Sequence, residues 1–163
     1  MAASYGTRAE ADAYFTERGI SAWATAPEEA RGAALIRGSA YVDGRYRNRF
    51  PGRKAGGRAQ ELEWPRVDAV DVSGEQIAEN EVPVEVEYAA YETALRELTA
   101  PGSLSPDIIP GSIKKKVRVE GAVEVEYAAG RAKDMMPVLA AVDGLLAPLL
   151  SRGAVTTNWV MRA

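Results

Sequence analysis

A mainly α protein is the fold class this sequence predicts: a small bundle of about four helices, a charged β-hairpin near residues 113–127 and an extended C-terminal arm. Three observations carry that expectation. Apolar residues recur at helical spacing behind recognisable start signals. The heptapeptide Val-Glu-Val-Glu-Tyr-Ala-Ala occurs twice, at 84–90 and 123–129, with flanks that predict a helix for the first copy and a strand for the second. Beyond Ser151 few charges remain, and Val155, Trp159, Val160 and Met161 give the terminus an apolar character suited to docking. Residues 1–150 therefore read as one helical domain with an inserted hairpin, and 151–163 as a docking arm.

The first helix is expected from Arg8 to Arg18. Thr7 and Glu10 have the spacing of a capping box, Ala11, Tyr14 and Phe15 form an apolar face, and Gly19 ends it. Thr25-Ala26-Pro27-Glu28 repeats a start signal for a second, alanine-rich helix. Its face is Ala30, Ala33, Ala34, Ile36, Ala40 and Tyr41, and Gly44 is its expected end. Residues 45–60, with Pro51, Gly52, Gly56 and Gly57 and almost no apolar side chains, read as an exposed loop. Val70 to Ile77 reads as a small hairpin turning at Ser73-Gly74. Pro83 then opens a third helix to about Thr99, whose expected buried stripe is Val84, Tyr88, Tyr91, Leu95 and Leu98. A last helix is signalled by Met135, Val138, Leu139, Val142, Leu145, Leu146 and Leu149, with Pro148 ending regular geometry near Leu146.

The second heptapeptide lies between Gly121 and Gly130, after a segment in which Val117 and Val119 alternate with charge. Pairing Val117 with Val125 and Val119 with Val123 sets Lys116 against Glu126 and Arg118 against Glu124. One face becomes apolar and the other ionic, and a slip of one residue would set Val117 against Glu124. The connection is Glu120-Gly121-Ala122, where glycine admits positive φ. A lone hairpin is marginal in water, so the valine face needs a cover from this chain or a neighbouring subunit.

At 163 residues the chain is long enough to bury a core without staples. It has neither cysteine nor histidine, which excludes disulfides and thiolate chemistry and removes the usual neutral-pH base and commonest metal ligand. No membrane span and no basic leader is expected, nor is any metal, cofactor or catalytic residue. The net charge of −3 is uneven: Arg45, Arg47, Arg49, Arg53, Lys54, Arg58 and Arg66 meet only Glu61 and Glu63 across their segment. With Tyr46, Phe50 and Trp64 as stacking surfaces, these cations are the candidate polyanion contact; the plainer alternative is a loop paired with acidic neighbours. Trp23, Trp64, Tyr14, Tyr88 and Tyr91 are expected to pack in the core or an interface.

Two motifs fail on their context. Ser112-Ile113-Lys114-Lys115 has the Ser-x-x-Lys spacing of serine acyl enzymes, yet it enters a strand and the companion motifs are missing. In Asp68 to Gly74, aligning Gly74 with the calcium-loop glycine puts Ala69 at the first ligand position.

Several stretches, taken in order, carry a family likeness. They are Glu10-Ala11-Asp12-Ala13-Tyr14-Phe15, Ala34-Leu35-Ile36 with Tyr41-Val42-Asp43, Leu62-Glu63-Trp64-Pro65-Arg66, Val82-Pro83, the charged segment from Lys114 to Tyr127, and the run from Val142 to Leu150. Together they resemble tailed-phage head-completion proteins, the head-tail connectors or adaptors, many of which carry the label DnaT-like single-stranded-DNA-binding protein. Gene-transfer agents are similar particles. The resemblance implies a homo-oligomeric ring, commonly a dodecamer, assembled in the bacterial cytoplasm. It docks beneath the portal at the head-tail interface of the virion, receives a stopper or the next tail component, and passes DNA without specific recognition. It implies portal contact by Val155, Trp159, Val160 and Met161, and subunit or stopper contact by Lys114, Lys116, Arg118, Glu124 and Glu126. The alternative it leaves is a single-stranded-DNA-binding replication accessory, for which the arginine segment and its aromatics would have to line one groove.

Overall fold

The computed structural model describes residues 3–105 and 139–150, together with the backbone of two paired strands, 116–119 and 123–126. Helix α1 (Arg8–Glu17) starts as its sequence requires. The Thr7 hydroxyl accepts from the Glu10 N–H at 3.3 Å, and the Glu10 carboxylate accepts from the Thr7 N–H at 2.7 Å. Hydrogen bonding to the Thr7 side chain, and then to its backbone N–H, holds the Glu10 carboxyl below its ordinary pKa. Gly19, at φ 67°, turns the chain out of the helix. A short helix α2 (Ser21–Ala24), which no sequence signal announced, then buries Trp23. The Asp12 carboxylate anchors that turn, accepting from the Trp23 indole N–H at 2.6 Å and pairing with Arg31.

Helix α3 (Glu28–Tyr46) runs past the expected stop at Gly44. Tyr46 makes the extra turn worthwhile, because it is fully buried and donates its hydroxyl proton to Asp143 at 2.6 Å. Thr25 does not cap this helix; its hydroxyl donates to the Ala22 carbonyl, at the end of α2.

Two short strands, β1 (Arg53–Lys54) and β2 (Arg66–Val67), pair antiparallel, with a 3₁₀ turn at Gly57–Ala59 between them. Residues 45–60 are mostly exposed, as expected, but Tyr46 and Phe50 are buried and pin the segment to the bundle. The turn at Ser73-Gly74 forms as expected, but with a single bridge, Val70 to Gln76, instead of a strand ladder.

Helix α4 (Val84–Thr99) follows Pro83 and packs along α3. Its buried face is not the stripe of large apolar residues that the sequence suggests. Val86, Ala89, Ala90, Tyr91, Thr93, Ala94 and Glu97 are inside, Val84 is 46% exposed, and Tyr88, Leu95 and Leu98 are only partly covered. Gly38 sets this rotation. A Cβ there would stand 2.7 Å from the Ala90 carbonyl oxygen and 2.8 Å from the Ala94 nitrogen, so α3 approaches the small-residue face of α4.

Strands β3 (Lys116–Val119) and β4 (Val123–Glu126) pair in the expected register: Lys116 with Glu126, Val117 with Val125, Arg118 with Glu124 and Val119 with Val123. Helix α5 (Ala140–Leu146) packs on α4 and buries Val142 and Leu146. Of the last predicted helix, Met135 and Val138 lie outside the described residues; its end at Leu146 is as expected. The architecture is thus a mainly α bundle with one small antiparallel hairpin, its core centred on Trp23, Phe15, Tyr91, Val86, Val42, Tyr46 and Leu146.

Candidate interaction site

The arginine-rich segment is held by a buried knot. The Tyr5 hydroxyl donates to the Asp43 carboxylate and accepts from the Glu63 and Trp64 backbone N–H groups at 3.1 and 3.2 Å. Asp43 also accepts from the Glu63 N–H at 3.0 Å, and the Tyr5 N–H donates to the Ser39 hydroxyl at 3.0 Å. Burial is the main reason that both groups titrate above their ordinary ranges; the adjoining Asp43 charge raises Tyr5 further. These bonds tie the N-terminal stretch, α3 and the Glu63–Trp64 turn together. The adjoining Trp64–Pro65 peptide is cis.

Glu63, positioned by that knot, gathers the nearby cations. Arg66, only 6% exposed, donates to the Glu63 carboxylate at 2.8 Å and to the Pro51 and Gly52 carbonyls at 2.6 and 2.7 Å. Lys54 lies 3.4 Å from Glu63, and Arg47 lies 4.0 Å away. Arg53 pairs with Asp68 at the surface. Of the cations singled out in the sequence, Arg47, Arg53, Lys54 and Arg66 thus have carboxylate partners. Arg49 and Arg58 are exposed, and Arg45 is half-buried.

The three aromatic side chains of this segment are not available for stacking. Tyr46 is 0%, Trp64 2% and Phe50 6% exposed, and the Phe50 and Trp64 rings meet edge to face at 5.7 Å. The aromatic-lined groove that the base-binding alternative requires is not formed: the rings face inward as the underside of the segment, and Trp64 packs in the core as expected. Trp23, Tyr14 and Tyr91 are likewise core residues, and Tyr88 is partly buried among them. Arg18 lies over Tyr14, 3.5 Å from the ring centre.

The structure brings the paired positions 116 with 126 and 118 with 124 together along the hairpin backbone. Lys114, the Ser112 to Lys115 motif, and Val155, Trp159, Val160 and Met161 lie outside the described residues. In the calcium-like segment, Ala69 is buried, and the Asp71 carboxylate accepts from the Ser73 and Glu75 N–H groups at 2.7 and 2.9 Å, stabilising the turn itself. Among the described residues, no group of three or more acidic side chains converges as a metal site. No helix among them is long and apolar enough to cross a membrane.

Sequence reasoning missed a groove along α3. Arg37, Ala40, Tyr41, Gly44 and Arg45 form one side; Glu97, Gly102, Leu104 and Ser105 form the other, around a space of about 730 Å³. The signal was present in the spacing, since those five α3 positions form one helical stripe.

A helical bundle with its basic segment folded onto its own carboxylates is the class of protein these features define. The family described as "Putative DnaT-like ssDNA binding protein" matches residues 1–163, and the chain belongs to it. Neither the curated proteins nor the solved structures contain a match to the chain.

Proposed function

We propose that the chain is a structural head-completion adaptor of a tailed phage or gene-transfer agent. It works as one subunit of a ring, of dodecameric order, beneath the portal, linking capsid to tail and leaving a passage for DNA. The observation that carries this reading is the burial of Tyr46, Phe50 and Trp64 beneath a cation segment in which Arg47, Lys54 and Arg66 converge on Glu63 and Arg53 pairs with Asp68. A surface that binds unpaired bases needs exposed rings beside its cations, and this segment has the cations without the rings.

In this reading the chain carries out no reaction. Val155, Trp159, Val160 and Met161 contact the portal. The hairpin positions Lys114, Lys116, Arg118, Glu124 and Glu126 meet a neighbouring subunit or the stopper. The protein resides at the head-tail interface of the virion after assembly in the bacterial cytoplasm.

The family description favours a second reading, a single-stranded-DNA-binding replication accessory. Disruption of the gene in its source particle separates the two. The adaptor reading predicts DNA-filled heads without tails and normal DNA synthesis. Reduced DNA synthesis before any heads appear would overturn it in favour of the second.

A further inference from the structure

Residues 3–6 lie outside any helix or strand, and the bonds they make to other parts of the chain go to α3 and to the turn at 61–64. The Ala3 N–H donates to the Glu61 carboxylate at 2.9 Å. Tyr5 does the rest: its backbone N–H and its hydroxyl donate to Ser39 and Asp43 of α3, and the hydroxyl accepts from the Glu63 and Trp64 N–H groups. Apart from Tyr5, the join between turn and helix rests on the Glu63 N–H bond to Asp43 and the 4.0 Å approach of Arg47 to Glu63.

Arg66 donates both to Glu63 and to the Pro51 and Gly52 carbonyls, which ties the stretch carrying Phe50 to the same turn. The Phe50 and Trp64 rings meet on the inner side of a segment whose Arg47, Arg49, Arg53 and Arg58 are exposed. Rings and cations, the two components of a surface that stacks unpaired bases, are thus close in the chain but turned opposite ways. This arrangement leaves two buried polar groups unmatched: the Trp64 indole N–H, and the Tyr91 hydroxyl, which lies so near Gly6 that a Cβ there would collide with it. Buried groups without partners are costly, and opening to water satisfies both. The closed arrangement is held against that cost chiefly by Tyr5.

We propose that residues 3–6 are an autoinhibitory strap, which keeps Phe50 and Trp64 turned under the arginine segment and whose release makes that segment a binding surface for single-stranded nucleic acid. The exposed arginines then supply the phosphate contacts and the two rings the stacking. The strap stands whether or not the chain is an adaptor, since the gene disruption that decides that reading does not touch it.

Two full-length variants release the strap in different ways. Tyr5→Phe removes the hydroxyl that three bonds share, and Gly6→Ala, at φ 64°, drives a methyl group into Tyr91 while leaving the groups of the knot intact. In both, hydrogen exchange should quicken at the Glu63 and Trp64 amides and stay slow in the middle of α4. Fluorescence anisotropy with a labelled oligothymidylate should show each variant binding about tenfold or more tighter than the unaltered chain, the gain that one stacked base provides. Arg58→Glu added to Tyr5→Phe should reduce that gain. Faster exchange without tighter binding, unchanged exchange in both variants, equally tight binding by the unaltered chain, a gain that ignores Arg58→Glu, or loss of the helical circular dichroism in both variants would overturn the proposal.

Discussion

The same seven residues, Val-Glu-Val-Glu-Tyr-Ala-Ala, form helix at 84–90 and contribute the strand Val123–Glu126 at their second occurrence. In the first copy Pro83 starts the helix, Val86, Ala89 and Ala90 are sealed against the bundle, and Glu87 stands near Glu10. In the second, every residue from Val123 to Glu126 faces a partner on β3, and the two glutamates fall opposite Arg118 and Lys116. Valine and glutamate differ by only tenths of a kcal/mol between helix and strand, so the heptapeptide does not decide its own fate. Its neighbours decide: proline and a close-packing glycine partner in one case, flanking glycines and an alternating basic strand in the other.

The comparison breaks hardest at Gly38. Gly38→Val would drive a side chain into the Ala90 and Ala94 backbone of the first copy. The expected loss is about 3 kcal/mol, a drop in Tm of roughly 6–12 °C by calorimetry for a chain of this size. A change of less than about 2 °C would mean that α3 and α4 do not approach closely there.

Equivalent valines sharpen it next. Val86 is fully buried, so Val86→Ala should cost about 2 kcal/mol in chemical denaturation. Its counterpart Val125 pairs across two strands, and Val125→Ala should cost about 0.2–1 kcal/mol. Equal losses would show that the second copy is packed as deeply as the first.

The smallest effect concerns Glu87 and its counterpart Glu126. Burial, then the charge of Glu10, raises the Glu87 carboxyl above its ordinary pKa, so the folded state holds that proton more tightly than the unfolded chain. The penalty is absent at pH below about 4, where both states are protonated, and is complete once pH exceeds the raised folded value. Glu87→Gln should therefore stabilise the protein slightly at neutral pH and lose that advantage on acidification. Glu126, set opposite Lys116, should show the reverse sign at neutral pH: Glu126→Gln gives a slight loss, diminished by salt. Thermal melts at pH 7 and pH 3.5 check both.

The parts of this fold that were legible in the sequence are those fixed by near neighbours. The capping box at Thr7 and Glu10, the proline before α4 and the hairpin register all depend on residues a few positions apart. The rotation of α4 was not legible, because ranking residues by size points to Val84 and Leu95, whereas Gly38 rewards Ala90, Thr93 and Ala94. The inward turn of Tyr46 and Phe50 escaped for a related reason, whereas Trp64 was legible as a core or interface residue. A segment rich in arginine and glycine reads as solvent-facing, and the bonds that fold it down join Tyr5 to Asp43, Glu63 and Trp64, 38 to 59 positions away. The cations themselves were plain in the sequence; that Glu63 gathers three of them was not.

Co-sedimentation with portal rings from the same genome, in moderate salt, tests the adaptor reading most directly, using the full chain and a version ending at Ser151. The full chain should travel with the rings, and the shortened chain should not. Absence of either chain from the portal pellet, alongside salt-sensitive binding to single-stranded DNA, would contradict it.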